Sequence, residues 1–100
     1  MAEGDIYRFD AEGDDPIRAM LADAMERTVG ARSERYLYAV AAPVLVGQGK
    51  AKDVPAAEAM LNLEVGDALL DAFDLLGADH DGAYREFQRI LRQLQDYLRI

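Results

Sequence analysis

Five residues late in the sequence constrain the fold more than any others. Tyr84, Phe87, Leu91, Leu94 and Leu98 recur at steps of three, four, three and four, and Ala83, Ile90 and Tyr97 widen the seam. Arg85, Arg89, Arg92 and Arg99 take the opposite side. This spacing gathers apolar side chains on one face of a helix with about 3.6 residues per turn, whereas a strand scatters them over both faces. A helix with one apolar face has to cover it. A seam broader than two positions in seven suits a globular bundle better than a two-stranded coiled coil, so further helices are expected to pack here, from the same chain or from a second copy.

Three more helical segments are legible upstream. Asp15-Pro16 starts one with a mechanism: Asp accepts an orphan N–H at the N-cap, and Pro at the first helical position gives up no hydrogen bond. Ile17, Met20, Leu21, Ala24 and Thr28 follow at helical spacing, and Gly30 is the expected stop. Ser33 is the expected cap of a second segment from Glu34, whose run Tyr36 to Val46 is apolar on every side and so is expected to be buried all round. Its valines and tyrosines also suit a buried strand, leaving an α+β alternative beside a helix kinked at Pro43. Gly47-Gln48-Gly49-Lys50 forms a loop, and Asp53 with Pro55 opens a third helix. There Leu61, Val65, Ala68, Leu69, Ala72, Phe73 and Leu76 share a face that Leu63 and Leu70 extend. This arc exceeds the roughly 100° stripe of a surface helix, which predicts packing on two sides. Gly66 either breaks the helix or weakens it by about 1 kcal/mol relative to Ala, and Gly77 is placed as its C-terminal glycine. The fold expected is all-α, a compact bundle of four to five helices.

One hundred residues, 51% of them apolar, fit a single domain. Residues 16–100 are assigned to it. Residues 1–15 carry six acids against Arg8 and read as a flexible acidic arm, in which Ile6 and Phe9 make incidental contacts more than a fixed anchor. That composition is the opposite of a secretory signal, and the longest apolar run has eleven residues, against the roughly 20 that span a bilayer. With no cysteine, disulfides and thiolate metal sites are excluded, which fits a reducing cytoplasm. Seventeen Ala, with nine Arg to two Lys, match a GC-rich bacterial coding sequence.

Charge is sorted along the chain. Asp53 to Asp81 holds eight carboxylates and no Lys or Arg, while segments 16–52 and 82–100 are net basic by three and two. A net charge of -8 disfavours direct binding to nucleic acid or anionic membrane and favours a protein partner with a basic surface. Glu64, Asp67, Asp71 and Asp74 form the candidate acidic contact stripe, with Arg85, Arg89 and Arg92 as a basic counterpart. Leu63 and Leu70, with the Tyr84, Phe87, Leu91, Leu94 and Leu98 seam, are the candidate self-association surface of a homo-oligomer, most simply a dimer.

Catalytic and cofactor chemistry finds little to work with. Asp79-His80-Asp81-Gly82 resembles a calcium loop, but with Gly82 at the sixth position the first is Gly77 and the twelfth Gln88, so both key carboxylates are missing. His80 is the only histidine, and neither Ser33 nor Thr28 is placed to serve it as a nucleophile. A phosphate loop at 47–50 needs Gly at Val44 and Ser or Thr at Ala51. The expected function is therefore that of a small acidic, non-enzymatic interaction module without cofactor or metal: an adaptor, assembly factor, regulator or chaperone-like subunit. The alternatives are a nucleic-acid mimic that occupies a basic DNA-binding protein, and a cation-binding or catalytic role at Asp79, His80 and Asp81.

Overall fold

The computed structural model describes Phe9 and residues 15–99, and every described element is helical. Helix α1 spans Pro16–Ala31, α2 Arg35–Gly47, α3 Val54–Leu61, α4 Asp67–Leu75 and α5 His80–Leu98, with a π-helical turn, Asn62–Gly66, joining α3 to α4. The result is the all-α bundle expected from the sequence. Its shortest extent is 19 Å, about two helix diameters.

Aspartates start three of the helices. Asp15 accepts from the Ile17 N–H at 2.8 Å, Asp53 from Ala56 at 2.9 Å and Asp79 from Gly82 at 2.9 Å, so orphan amides at each start are satisfied by the preceding side chain. Helix α2 is capped differently. Its N-cap, Glu34, makes no capping bond, and Ser33 Oγ accepts from Arg35 only at 3.4 Å. The buried Thr28 hydroxyl of α1 instead accepts from the Leu37 N–H at 3.0 Å. This bond ties the start of α2 to the last turn of α1, and residues 36–46 are helix, not strand.

Burial of α2 is one-sided. Leu37, Tyr38, Ala41, Ala42 and Leu45 are buried, while Tyr36, Ala39 and Pro43 face outward. The expectation of burial all round is thus corrected: in a bundle two helices thick, each helix keeps a solvent side. Pro43 sits on that side, where the Ala39 carbonyl it leaves without a helical donor is within reach of water. Gly30 does not end α1. The helix runs through it and closes on Arg32, which takes the left-handed conformation at φ 53° and sends its N–H to Thr28 O and Val29 O. Gly77 likewise has no positive φ, and Leu76 caps α4 in right-handed geometry.

The third pattern folds as one helical rod from α3 through the π turn to α4. Its first part packs on α2 and its last on α5, while α5 also packs on α1, which closes the bundle. The rod buries Ala57, Leu61, Val65, Leu69, Ala72 and Leu76, and the first three steps between them are all four residues. In an ideal α-helix each such step drifts by about 40° around the axis. A π turn takes more residues per turn and winds part of that drift back. Gly66 lies in this turn, where an added Cβ would run into Asn62 Oδ1.

The α5 seam forms the centre of the core: Phe87, Ile90, Leu91, Leu94 and Leu98 are fully buried among Leu21, Met25, Leu37, Leu45, Leu61 and Leu69. Phe73 packs on Phe87 with ring centroids 5.5 Å apart. Phe9 is 5% exposed and stacks on Tyr84 at 5.1 Å, and its N–H reaches the Glu26 carboxylate at 3.4 Å. It is an anchored residue and not an incidental contact. Apart from Phe9 and Asp15, the acidic arm assigned to 1–15 lies outside the described residues. Among the described residues no helix is long and apolar enough to cross a membrane.

Candidate functional site: the outer face of the third rod and the Tyr38 cleft

The proposed contact residues separate into two groups. Phe87, Leu91, Leu94 and Leu98 are 0% exposed inside the chain's own core, and half-buried Tyr84 is stacked by Phe9. Their assignment to self-association is corrected accordingly, because the α5 seam is covered by helices of the same chain. Leu63 and Leu70 remain outside, at 89% and 61% exposure. Among the described residues, this part of the apolar arc lies beyond what the neighbouring helices cover.

Glu64, Asp67, Asp71 and Asp74 are all exposed. Leu63, Asp67, Leu70 and Asp74 follow one another at steps of four, three and four, so apolar and acidic groups alternate along one row of the rod. Glu64, at the row's edge, turns toward α5, where Gln93 Nε2 donates to its carboxylate at 2.9 Å and to its backbone carbonyl at 3.3 Å. There the acidic face adjoins the basic one, across a cleft of about 510 Å³ lined by Glu64, Arg89, Arg92 and Asp96 among others. Arg89 is held by Glu86 one turn back on the same helix, and this pairing holds the Glu86 carboxyl below its ordinary range and lifts the Arg89 guanidinium. Arg85, Arg92 and Arg99 are exposed. Asp79 of the 79–82 turn is engaged as the cap of α5, and among the described residues no three His, Asp or Glu side chains gather in a metal-binding group. The 47–50 segment closes α2, with Gly49 at φ 76° and Gln48 Nε2 donating to Leu98 O at 2.6 Å.

A second feature escaped the sequence reading. Between the first turns of α2 and the end of α3 lies an open cleft of about 700 Å³, lined by Glu34, Arg35, Tyr36, Tyr38, Glu58, Ala59 and Asn62 among others. Tyr38 is 6% exposed. Its hydroxyl donates to Asn62 Oδ1 at 3.4 Å, well beyond the 2.5–3.0 Å of an ordinary O–H···O bond. Burial, with the carboxylates of Glu34 and then Glu58 nearby, pushes its pKa up to about 12. A crevice beneath the cleft continues past Asn62 and Gly66 to Leu70 and Phe73, so cleft and outer row are neighbours. The sequence carried a faint signal for this place: Gly66 four residues after Asn62, where buried positions fall at three successive four-residue steps.

No family model, curated protein or solved structure matches the chain.

Proposed function

We propose that this chain is a small acidic interaction module without catalysis of its own, acting in the cytoplasm by holding a partner protein that presents a basic surface. The observation that carries the reading is the exposed row Leu63, Asp67, Leu70 and Asp74 on the third rod. Charge favours a basic partner over a symmetric homodimer. A symmetric dimer buries Leu63 and Leu70 of both copies, four leucines that contribute roughly 6–12 kcal/mol, which lies within the 4–15 kcal/mol or so that association costs. A symmetric contact would also set carboxylates against carboxylates, whereas a basic partner turns the same charges into attraction and faster encounter. Self-association fits best head to tail, with the acidic row of one copy on the Arg85, Arg92 and Arg99 face of another.

The test is affinity capture of the tagged chain from its own host's lysate at low and high salt, with Asp67→Lys/Asp71→Lys/Asp74→Lys and Leu63→Ser/Leu70→Ser alongside. A basic protein held at low salt, released at high salt and lost with both variants is the expected result. Equal capture by all three forms would remove the row from the account. Competition of the captured protein by DNA would turn the reading toward nucleic-acid mimicry.

A further inference from the structure

We propose that the cleft between α2 and the π turn is a receptor for the guanidinium group of an arginine side chain on the partner protein, an inference that rests on the interaction reading above. Four observations meet there. The cleft brings two carboxylates, Glu34 and Glu58, to the rings of Tyr36 and Tyr38, and among the described residues neither carboxylate is ion-paired. Tyr38 is largely buried, and its hydroxyl, at the cleft, has only a 3.4 Å contact, so it has spare capacity to accept a hydrogen bond from an entering N–H. Asn62 presents its amide beside it from a π turn, an irregularity frequent at functional sites, and the missing Cβ of Gly66 leaves room for that amide. The crevice that shares Glu34, Tyr38 and Asn62 with the cleft is also lined by Leu70 of the outer row, so one partner surface can cover both.

The chemistry selects the group. A guanidinium is flat, permanently charged and forked, so it stacks on an aromatic ring while donating to carboxylates and a hydroxyl in its plane. An ammonium is a compact point charge and gains less from such a slot. Arg35 also lines the cleft but makes no ion pair with either carboxylate.

The full chain, isotopically labelled, would be titrated at neutral pH with a capped Gly-Arg-Gly peptide, the Gly-Lys-Gly and Gly-citrulline-Gly counterparts, and free spermidine. Saturable shifts at Tyr38, Asn62 and Glu58 with the arginine peptide, weaker with lysine and absent with citrulline, are expected. Glu34→Gln/Glu58→Gln should weaken binding by more than about tenfold, since two charge-assisted hydrogen bonds are lost. Tyr38→Phe keeps the ring and serves as the second variant, with its thermal melt checking the fold. Absence of saturation, shifts unchanged in both variants, or a preference for citrulline would overturn the proposal, and tighter binding of spermidine would assign the cleft to a free polyamine. A failure here with capture still lost in the Leu63/Leu70 variant would leave the interaction reading standing. The reverse pattern would overturn that reading and keep the cleft as a guanidinium site.

Discussion

Gln95 is the residue least at ease in this structure. It is 6% exposed on α5, and its Nε2 is buried without a hydrogen-bond partner among the described residues. A buried donor left unpaired costs about 1–3 kcal/mol, and methionine has similar length with no such donor. Gln95→Met is therefore expected to stabilise the fold by about 1 kcal/mol, read as a rise of several degrees in Tm by calorimetry. Tyr38 makes an opposite, pH-dependent statement. The native state holds its proton to about pH 12, while the unfolded chain releases it near the ordinary tyrosine value of 10.0. The stability this contributes is complete below about pH 10 and is lost as pH rises from there toward 12. Melting curves across that range should show a steeper fall for the wild type than for Tyr38→Phe. Tyr38 read only as core material in a sequence of apolar neighbours, because beyond Glu34, one turn away, its polar environment comes from Glu58 and Asn62, twenty and twenty-four positions away.

At the scale of single helices, starts were more legible than stops. An aspartate followed by proline fixes a start locally, and both Asp15-Pro16 and Asp53 with Pro55 begin helices where expected. Stops depend on where the chain must go next. Helix α1 runs past Gly30 and closes on the left-handed Arg32, and its last turn supplies the Thr28 hydroxyl to the start of α2. Thr28→Val keeps the shape but leaves the Leu37 N–H without its acceptor, and should cost about 1–2 kcal/mol in denaturant unfolding. Gly30 is helical and exposed, with open space where a Cβ would stand. Gly30→Ala should return about 1 kcal/mol, measured the same way. The π turn follows the same logic. A run of four-residue steps hints at it, but only packing on α2 at one end and α5 at the other makes the winding change worthwhile.

For the whole molecule, the charge of -8 and the bundle topology act together. The acidic segment 53–81 is folded into one rod and its following turn, which concentrates like charges that only salt or a partner screens. Raising ionic strength from low to physiological values should raise Tm, since self-repulsion weakens as the screening length falls to about 8 Å. A Tm that is flat or falls with salt would show that local pairs outweigh the net charge. The sequence by itself determined the helical class, the aspartate starts, the exposed acidic stripe and the amphipathic α5, because caps and periodicity act within a few residues of chain. Tertiary structure alone decided that the α5 seam is filled from within, that Leu63 and Leu70 are left outside, that Phe9 is docked on Tyr84, and that Tyr38 meets Glu58 and Asn62 in a cleft. Those outcomes depend on which face of one helix lies against which face of another, and a face is shared between segments far apart in the chain.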